Sequence, residues 1–403
     1  MSTFKKLLLL LTSHERKRVG LLLIIVTIMA LLDMIGVASI LPFMAVLTNP
    51  SLIETNPILN TVFKTASIFG VESSQQFLFA LGVFVFVLLI ISLTFRAFTT
   101  YLQVRFVRMR EQSIGKRLVE GYLHQPYSWF LNRHSADLGK TILSEVNVVI
   151  DNGINPFIEL IAKGMVTIAL ITLLLITDPK LALIVGLSLA TAYGVIFYCI
   201  RKYVIRTGEE RLKNNQLRFT TISEVFGAVK EVKLGGLEKN YIKNFSKSAQ
   251  ILARTIASSQ VIAILPRFIL EAVAFGGILL IILYIMAGTG SFNNAIPIVS
   301  LYVFAGYRLL PALQQIYASF TKLTFVGPSL EKLYNDLNNL KNFNESQNSG
   351  VLPLNKKITL KSVYYNYPGS TRTALKNINI SIPVNSTVGL VGTTGSGKTT
   401  TVD

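Results

Sequence analysis

Val19-Gly20-Leu21-Leu22-Leu23-Ile24-Ile25-Val26-Thr27-Ile28-Met29-Ala30-Leu31-Leu32 runs for fourteen residues without a charge, and beyond Asp33 the apolar character resumes to Leu47. A bilayer core about 30 Å thick takes about 20 apolar residues per helix, so residues 19–47 read as a membrane span. The windows 77–100, 155–177, 181–200, 258–287 and 295–320 meet the same length. An α-helical membrane domain of six spanning helices is therefore expected. Of the 403 residues 51% are apolar and only 15% charged, against about 25% charged in a soluble domain, which excludes a conventional cytosolic globule.

Loop charges set the expected orientation. Lys and Arg number five in residues 1–18, seven in 101–153 and twelve in 201–257, while the alternate loops 50–76, 178–180 and 288–294 hold only Lys64 and Lys180. Cytoplasmic loops are the basic ones, so both termini and the two long loops are expected in the cytoplasm. The same distribution explains the net charge of +18 without a nucleic-acid partner, because the cations flank apolar spans rather than gathering on one soluble module with stacking aromatics. The one cysteine, Cys199, lies inside an apolar run, which leaves neither a disulfide framework nor paired metal-ligand spacing. Residues 1–18, with Leu7 to Leu11 behind Lys5 and Lys6, lack the long apolar region and cleavage site of a signal peptide. They read as an amphipathic elbow helix on the cytoplasmic surface, ahead of a membrane domain over 19–326.

Structureless loops longer than about 15 residues are uncommon. Both long loops carry apolar residues at helical spacing, as in Leu102, Phe106, Met109 and Ile114, or Leu217, Ile222, Val225 and Val229. Each is predicted to be a rod that extends a membrane helix, turns, and returns as the next one. Pro126 breaks the first near Trp129, and the second turns near Phe226 to Gly236. Exposed apolar tips on such rods are expected to dock on something.

Residues 327–350 read as a linker, with Leu330, Leu333, Leu337 and Leu340 on one face of a helix from Ser329 to Asn342, followed by the turn-rich Asn344 to Gly350. From 351 short β-type runs take over, at 358–365, 378–382 and 387–391. The last leads into Gly392-Thr393-Thr394-Gly395-Ser396-Gly397-Lys398-Thr399-Thr400, a full phosphate-loop pattern. Its glycines permit a tight turn whose backbone N–H groups face phosphate oxygens, and the following helix adds its positive end. Lys398 is expected to reach the β- and γ-phosphates and the Thr399 hydroxyl to ligate Mg²⁺, with Thr400 as a further phosphate contact. ATP and Mg are the expected cofactors. Residues 351–403 read as the N-terminal part of an α/β P-loop nucleotide-binding domain.

Six membrane helices, two long cytoplasmic rods and a phosphate loop about 40 residues into the next domain resemble an exporter-type ATP-binding-cassette (ABC) transporter, over essentially the whole chain. The resemblance implies that Tyr367, in Ser362-Val363-Tyr364-Tyr365-Asn366-Tyr367-Pro368, stacks on adenine. It also implies that the tips near Tyr127 to Asp137 and near Ala228 to Gly236 are coupling helices docking on nucleotide-binding domains, and that two chains form a homodimer working by alternating access. Ala374-Leu375-Lys376-Asn377-Ile378 looks like the family's lead into its next strand.

Within that family Ile40-Leu41-Pro42-Phe43, Glu231-Val232-Lys233-Leu234, Leu265-Pro266-Arg267-Phe268-Ile269-Leu270-Glu271 and Tyr307-Arg308-Leu309-Leu310-Pro311 resemble bacterial lipid-linked oligosaccharide flippases. That implies an inner-membrane protein moving a lipid-linked saccharide. The family's signature segment, catalytic glutamate and switch histidine lie C-terminal to the phosphate loop and find no match before Asp403. No catalytic residue is therefore assigned, and the chain is expected to be a truncated copy of a longer transporter that is an ATPase only at full length.

Ionisable groups inside a span cost about 2.5–3.5 kcal/mol on insertion scales and face protein or water. Arg267 and Glu271, one turn apart, can pair, and with Asp33 and Arg308 they are expected to line a central cavity. Two readings of the arginines stand open. They contact the diphosphate of a lipid-linked saccharide, to which guanidinium forks are suited, or they serve pairs that only hold helices together. The cargo stands open as well, since an exporter of lipid, peptide or drug, or a nucleotide-regulated channel or secondary transporter, fits the same residues.

Overall fold

The computed structural model describes residues 3–68, 71, 73–131, 133–177, 179–287, 292–340, 353–367 and 372–402. They fall into two compact units, Met1–Val119 with Ala136–Asn339, and Glu120–Ser135 with Leu340–Asp403.

The first unit is helical. Helix α1 (Thr3–Leu10) is followed by α2 (Ser13–Ala38). Between them the Thr12 hydroxyl accepts from the Glu15 N–H while the Glu15 carboxylate accepts from the Thr12 N–H, a reciprocal cap that satisfies two otherwise orphaned donors. The amphipathic helix is thus α1 alone, and the first spanning helix starts at Ser13, well ahead of its apolar window. After a turn at Ser39 comes α3 (Ile40–Thr48), then the short α4 (Leu52–Thr55) and α5 (Pro57–Ser67). Val46, Ile53, Leu59, Phe77 and Leu81 form a small core at that end.

The long loops are the rods that their periodicity predicts. Helix α6 (Ser74–Leu123) has 50 residues, about 75 Å at 1.5 Å per residue. Helix α7 (Tyr127–Phe130) lies at the first tip, after Pro126. The chain returns through α8 (Ser135–Lys140), a π-helical turn Thr141–Glu145, α9 (Val146–Val149) and a second π-helical turn Ile150–Ile154 into α10 (Asn155–Thr177). The second rod is built from α11 (Pro179–Gly227), the tip helix α12 (Val229–Leu234) and α13 (Glu238–Ala287). Helices α14 (Phe292–Phe325) and α15 (Gly327–Asn339) complete the unit.

Among the described residues four segments are long and apolar enough to cross a membrane: Ser13–Thr48, Ser74–Leu123, Ser135–Thr177 and Glu238–Ile269. The windows 181–200 and 295–320 fall in α11 and α14, where the side chains at 181, 184, 185 and 292–302 lie outside the described residues. Helices α2, α10 and α14 interlock through Val26, Ala30, Ala162, Val166, Ala305 and Leu309. Large apolar side chains such as Phe79, Phe86 and Tyr198 point outward, 76%, 63% and 83% exposed, a surface suited to lipid rather than water. Where α11 meets α14, a Cβ on Gly208 would stand 2.2 Å from the Phe325 carbonyl oxygen, so only glycine lets these backbones approach.

In the second unit the tip is held by its own side chains. The Trp129 ring lies 5.4 Å from Tyr122 and 5.0 Å from Phe130, with the Arg133 guanidinium 4.1 Å over it. Strands β1 (Lys357–Asn366) and β2 (Thr373–Pro383) pair antiparallel, extending the predicted runs 358–365 and 378–382. The third predicted run, 387–391, is not a strand. A strand exists by the ladder it joins, and among the described residues none pairs with it; Val391 is 98% exposed. Helix α16 (Lys398–Val402) follows the glycine loop. Of the predicted linker, 341–350 lie outside the described residues, as does Pro368.

Candidate functional site

Within the first unit four helices bring charge together. Asp33, on α2, is 1% exposed. Its Oδ1 accepts from the Ser92 hydroxyl of α6 at 2.6 Å and from the Arg308 guanidinium of α14. Around Lys163 of α10 stand Arg96, Asp33, Glu159 and Arg308. Glu159, one turn before Lys163, accepts from Gln315 of α14 and from the Asn155 amide at 3.3 Å. Four helices therefore contribute three cations and two carboxylates, and a buried charge is tolerated only when partnered.

Of the four membrane residues singled out by sequence, Asp33 and Arg308 pair with each other. Arg267 and Glu271 form the expected i,i+4 pair at 2.7 Å, with Arg267 half exposed on α13. No hydrogen bond or ion pair among the described residues joins the two pairs. Arg96, Glu159 and Lys163 were missed, although each is a charge in an apolar window and the insertion cost that marked Asp33 marks them equally.

Outside the windows one buried and one half-buried polar network tie α15 to the rods. Arg211 of α11 donates to Glu145 at 2.6 Å and to the Ser329 hydroxyl at 2.9 Å, and Asn215 donates to the other Glu145 oxygen at 2.9 Å. Lys140 and Lys332 share one oxygen of Asp137 at 3.1 and 3.0 Å. Burial opposes ionisation of Asp137, yet the Lys332 and Lys140 ammoniums hold its carboxyl below the usual carboxylate range. Burial, reinforced by Lys332, pushes Lys140 below the usual lysine range. Glu15 is likewise held low, burial being overcome by hydrogen bonds from Ser113 and Thr12 and by the Arg110 charge.

In the second unit the glycine loop has the backbone that its pattern requires. Gly395 and Gly397 adopt φ of +83° and +87°, a left-handed region that favours glycine. A Cβ on Gly397 would also stand 2.8 Å from Leu375 Cδ2 and 3.0 Å from the Ala374 carbonyl of β2. The Lys398 ammonium donates to the Gly392 and Thr393 carbonyls, both at 2.8 Å. Tyr367 and Thr400 share a hydrogen bond at 2.9 Å, which sets the tyrosine beside the start of α16.

Against known families, the pattern for the ABC transporter transmembrane region matches residues 19–309, most of the chain. This chain belongs to that family. Among curated relatives of this ABC protein is an "ATP-dependent lipid A-core flippase" from Wigglesworthia glossinidia brevipalpis, 24% identical over 72% of this chain and 50% of the relative. A flippase of the same name from Escherichia coli (strain K12) is 26% identical over 72% of the chain and 49% of its own length. The "Multidrug resistance-like ATP-binding protein MdlA" of Buchnera aphidicola subsp. Schizaphis graminum (strain Sg) is 23% identical over 68% and 47%. The chain spans about half the length of the curated relatives it matches.

Proposed function

We propose that this ABC chain supplies the membrane part, and begins the nucleotide-binding part, of an ATP-driven exporter that flips an anionic amphipath, preferentially a lipid-linked oligosaccharide, across the bacterial inner membrane. One observation carries the reading: within an ABC transmembrane region, the cluster around Lys163 sets three cations against two carboxylates among the described residues. An anionic headgroup supplies the missing negative charge, and the lipid cargo named for two relatives supports the lipid class. In this reading Arg96, Lys163 and Arg308 bind the headgroup, Asp33 and Ser92 orient Arg308, and Arg267 with Glu271 extends the polar path along α13. Six spans with both termini cytoplasmic and a homodimeric assembly belong to the same proposal, the orientation being supported by the basic loops.

The glycine loop fits a polyphosphate. Gly392, Thr393, Thr394, Gly395, Ser396, Gly397 and Lys398 would hold it, Thr399 would hold Mg²⁺, and Tyr367 and Thr400 would flank it. Bound ATP supplies the free energy of phosphoryl transfer. Lys398, drawn to neutral carbonyls, exchanges them for phosphate oxygens with which its hydrogen bonds are charge-assisted.

The test is reconstitution of the complete transporter in proteoliposomes, with a fluorescent lipid-linked oligosaccharide, a lipid A-core analogue and an apolar drug as cargoes. Lys163→Ala, Arg267→Ala and Arg308→Ala are each expected to lower stimulation by the anionic lipids about tenfold, about 1.4 kcal/mol, while basal ATPase activity stays. Unchanged stimulation in all three ends the reading, and transport of the drug alone moves the protein to the multidrug class.

A further inference from the structure

Helices α1, α11, α14 and α15 border an open cavity of about 580 Å³ whose lining includes Phe4, Arg201, Ile205, Glu209, Phe320 and Glu331. Its depth is set by the helices. Arg201 directly follows the window 181–200, Phe320 ends the window 295–320, and Phe4 packs on Phe157, two residues into the window 155–177, at a ring distance of 5.6 Å. Three spanning windows therefore reach the same face at this point, where hydrocarbon gives way to headgroups. The wall matches that level. Phe4 and Phe320, 38% and 39% exposed, offer apolar surface, while Arg201 and Glu209 lie two turns apart along α11, about 12 Å by helical rise.

The charges of the wall specify the ligand. Glu331 is taken by Lys6 at 2.8 Å, whereas Arg201 and Glu209 have no ion-pair partner among the described residues. One free cation and one free anion, spaced along an otherwise apolar and hydroxyl-bearing wall, complement a zwitterion. We infer that this cavity is a headgroup site for an aminophospholipid of the surrounding leaflet, with its phosphate on Arg201, its ammonium toward Glu209, and its acyl chains passing out over Phe4 and Phe320. A guanidinium fork suits a phosphate, and a primary ammonium donates hydrogen bonds to a carboxylate, which a trimethylammonium does not. A glycerol headgroup would set the same phosphate on Arg201 but bring only neutral hydroxyls to Glu209, leaving that carboxylate without a counter-charge. The occupant bridges α1 to the α14–α15 junction and is separate from the cluster around Asp33, so the inference stands or falls independently of the transported cargo.

The experiment is native mass spectrometry of the full chain released from detergent, titrated with phosphatidylethanolamine, phosphatidylcholine or phosphatidylglycerol of matched acyl chains. Phosphatidylethanolamine is expected to bind about tenfold more tightly than the other two, a margin of about 1.4 kcal/mol. Glu209→Gln should erase the preference over phosphatidylcholine, and Arg201→Ala should weaken both lipids, with Arg201→Lys partly restoring them. Lys180→Ala, in the first turn of α11 and 21 residues before Arg201, should change nothing. Equal affinity for the three lipids, or variants that bind as the parent does, overturns the inference. Competition by glycerophosphoethanolamine at concentrations matching the lipid's own affinity also overturns it, because the cavity would then be a site for a soluble phosphate ester.

Discussion

Asp33 on α2 and Arg308 on α14, 275 residues apart in the chain, form a buried ion pair to which Ser92 adds a hydrogen bond on the same carboxylate oxygen. The pair joins the first and last apolar windows, and neither charge has bulk water to fall back on. Removing one partner of a buried pair costs about 3–5 kcal/mol, while replacing both with apolar residues is often neutral. Asp33→Leu and Arg308→Leu singly should lower unfolding stability in detergent by that amount, and the double variant should recover most of it. Additive losses would show that the two residues act separately.

Gly208 tests the close approach of α11 and α14. Alanine there puts a methyl group 2.2 Å from the Phe325 carbonyl oxygen, and overpacking of this kind costs about 1–3 kcal/mol. Gly194, on the same helix, has nothing within 4 Å of its Cβ position, so Gly194→Ala should stabilise by about 0.5–1 kcal/mol through helix propensity. Thermal unfolding of the two variants should move in opposite directions.

The rod network predicts a pH profile. Asp137 and Glu15 have folded pKa values below their ordinary ones, so the unfolded chain binds more protons in that interval. Their stabilisation is fully present above the usual carboxylate pKa of about 4 and is lost as pH falls through the folded values. Lys140 is also lowered, so stability gains as pH rises through its folded value toward the usual lysine value of about 10.4. Asp137→Asn should flatten the acid limb of a stability–pH curve. It should also remove the carboxylate shared by Lys140 and Lys332, so Lys332→Met in the same background should recover stability at neutral pH.

The glycine loop gives a paired prediction. Gly397→Ala meets Leu375 and the Ala374 carbonyl and sits at a φ of +87°, a strain of about 1–3 kcal/mol. Gly389→Ala meets nothing within 4 Å. Filter binding of labelled ATP to the complete transporter should collapse for Gly397→Ala and for Lys398→Ala and persist for Gly389→Ala. Retention in the lysine variant would remove the loop from the nucleotide site.

The apolar windows, the two rods and the glycine turn are all local patterns, and each was readable along the chain. A window of bilayer length, apolar residues every three or four positions, or glycines spaced for a tight turn declare themselves within one element, because backbone hydrogen bonding and burial act there on neighbouring residues. The helix boundaries were less legible. The α2 start at Ser13 depended on the reciprocal bonds between Thr12 and Glu15, which let a charged first turn join an apolar helix.

Partner choice was decided only in three dimensions. One-turn spacing already paired Arg267 with Glu271, but sequence separation says nothing about which charges meet across helices, so that Asp33 serves Arg308 and Ser92, and that Glu159 accepts from Gln315, emerged only from the packing. The run 387–391 shows the same divide from the other side. Its residues favour a strand, but a strand needs a neighbour to accept and donate its ladder of hydrogen bonds, and local propensity cannot provide one. Composition and period select the elements; the low dielectric between packed helices, where every charge must find a partner, selects which of them touch.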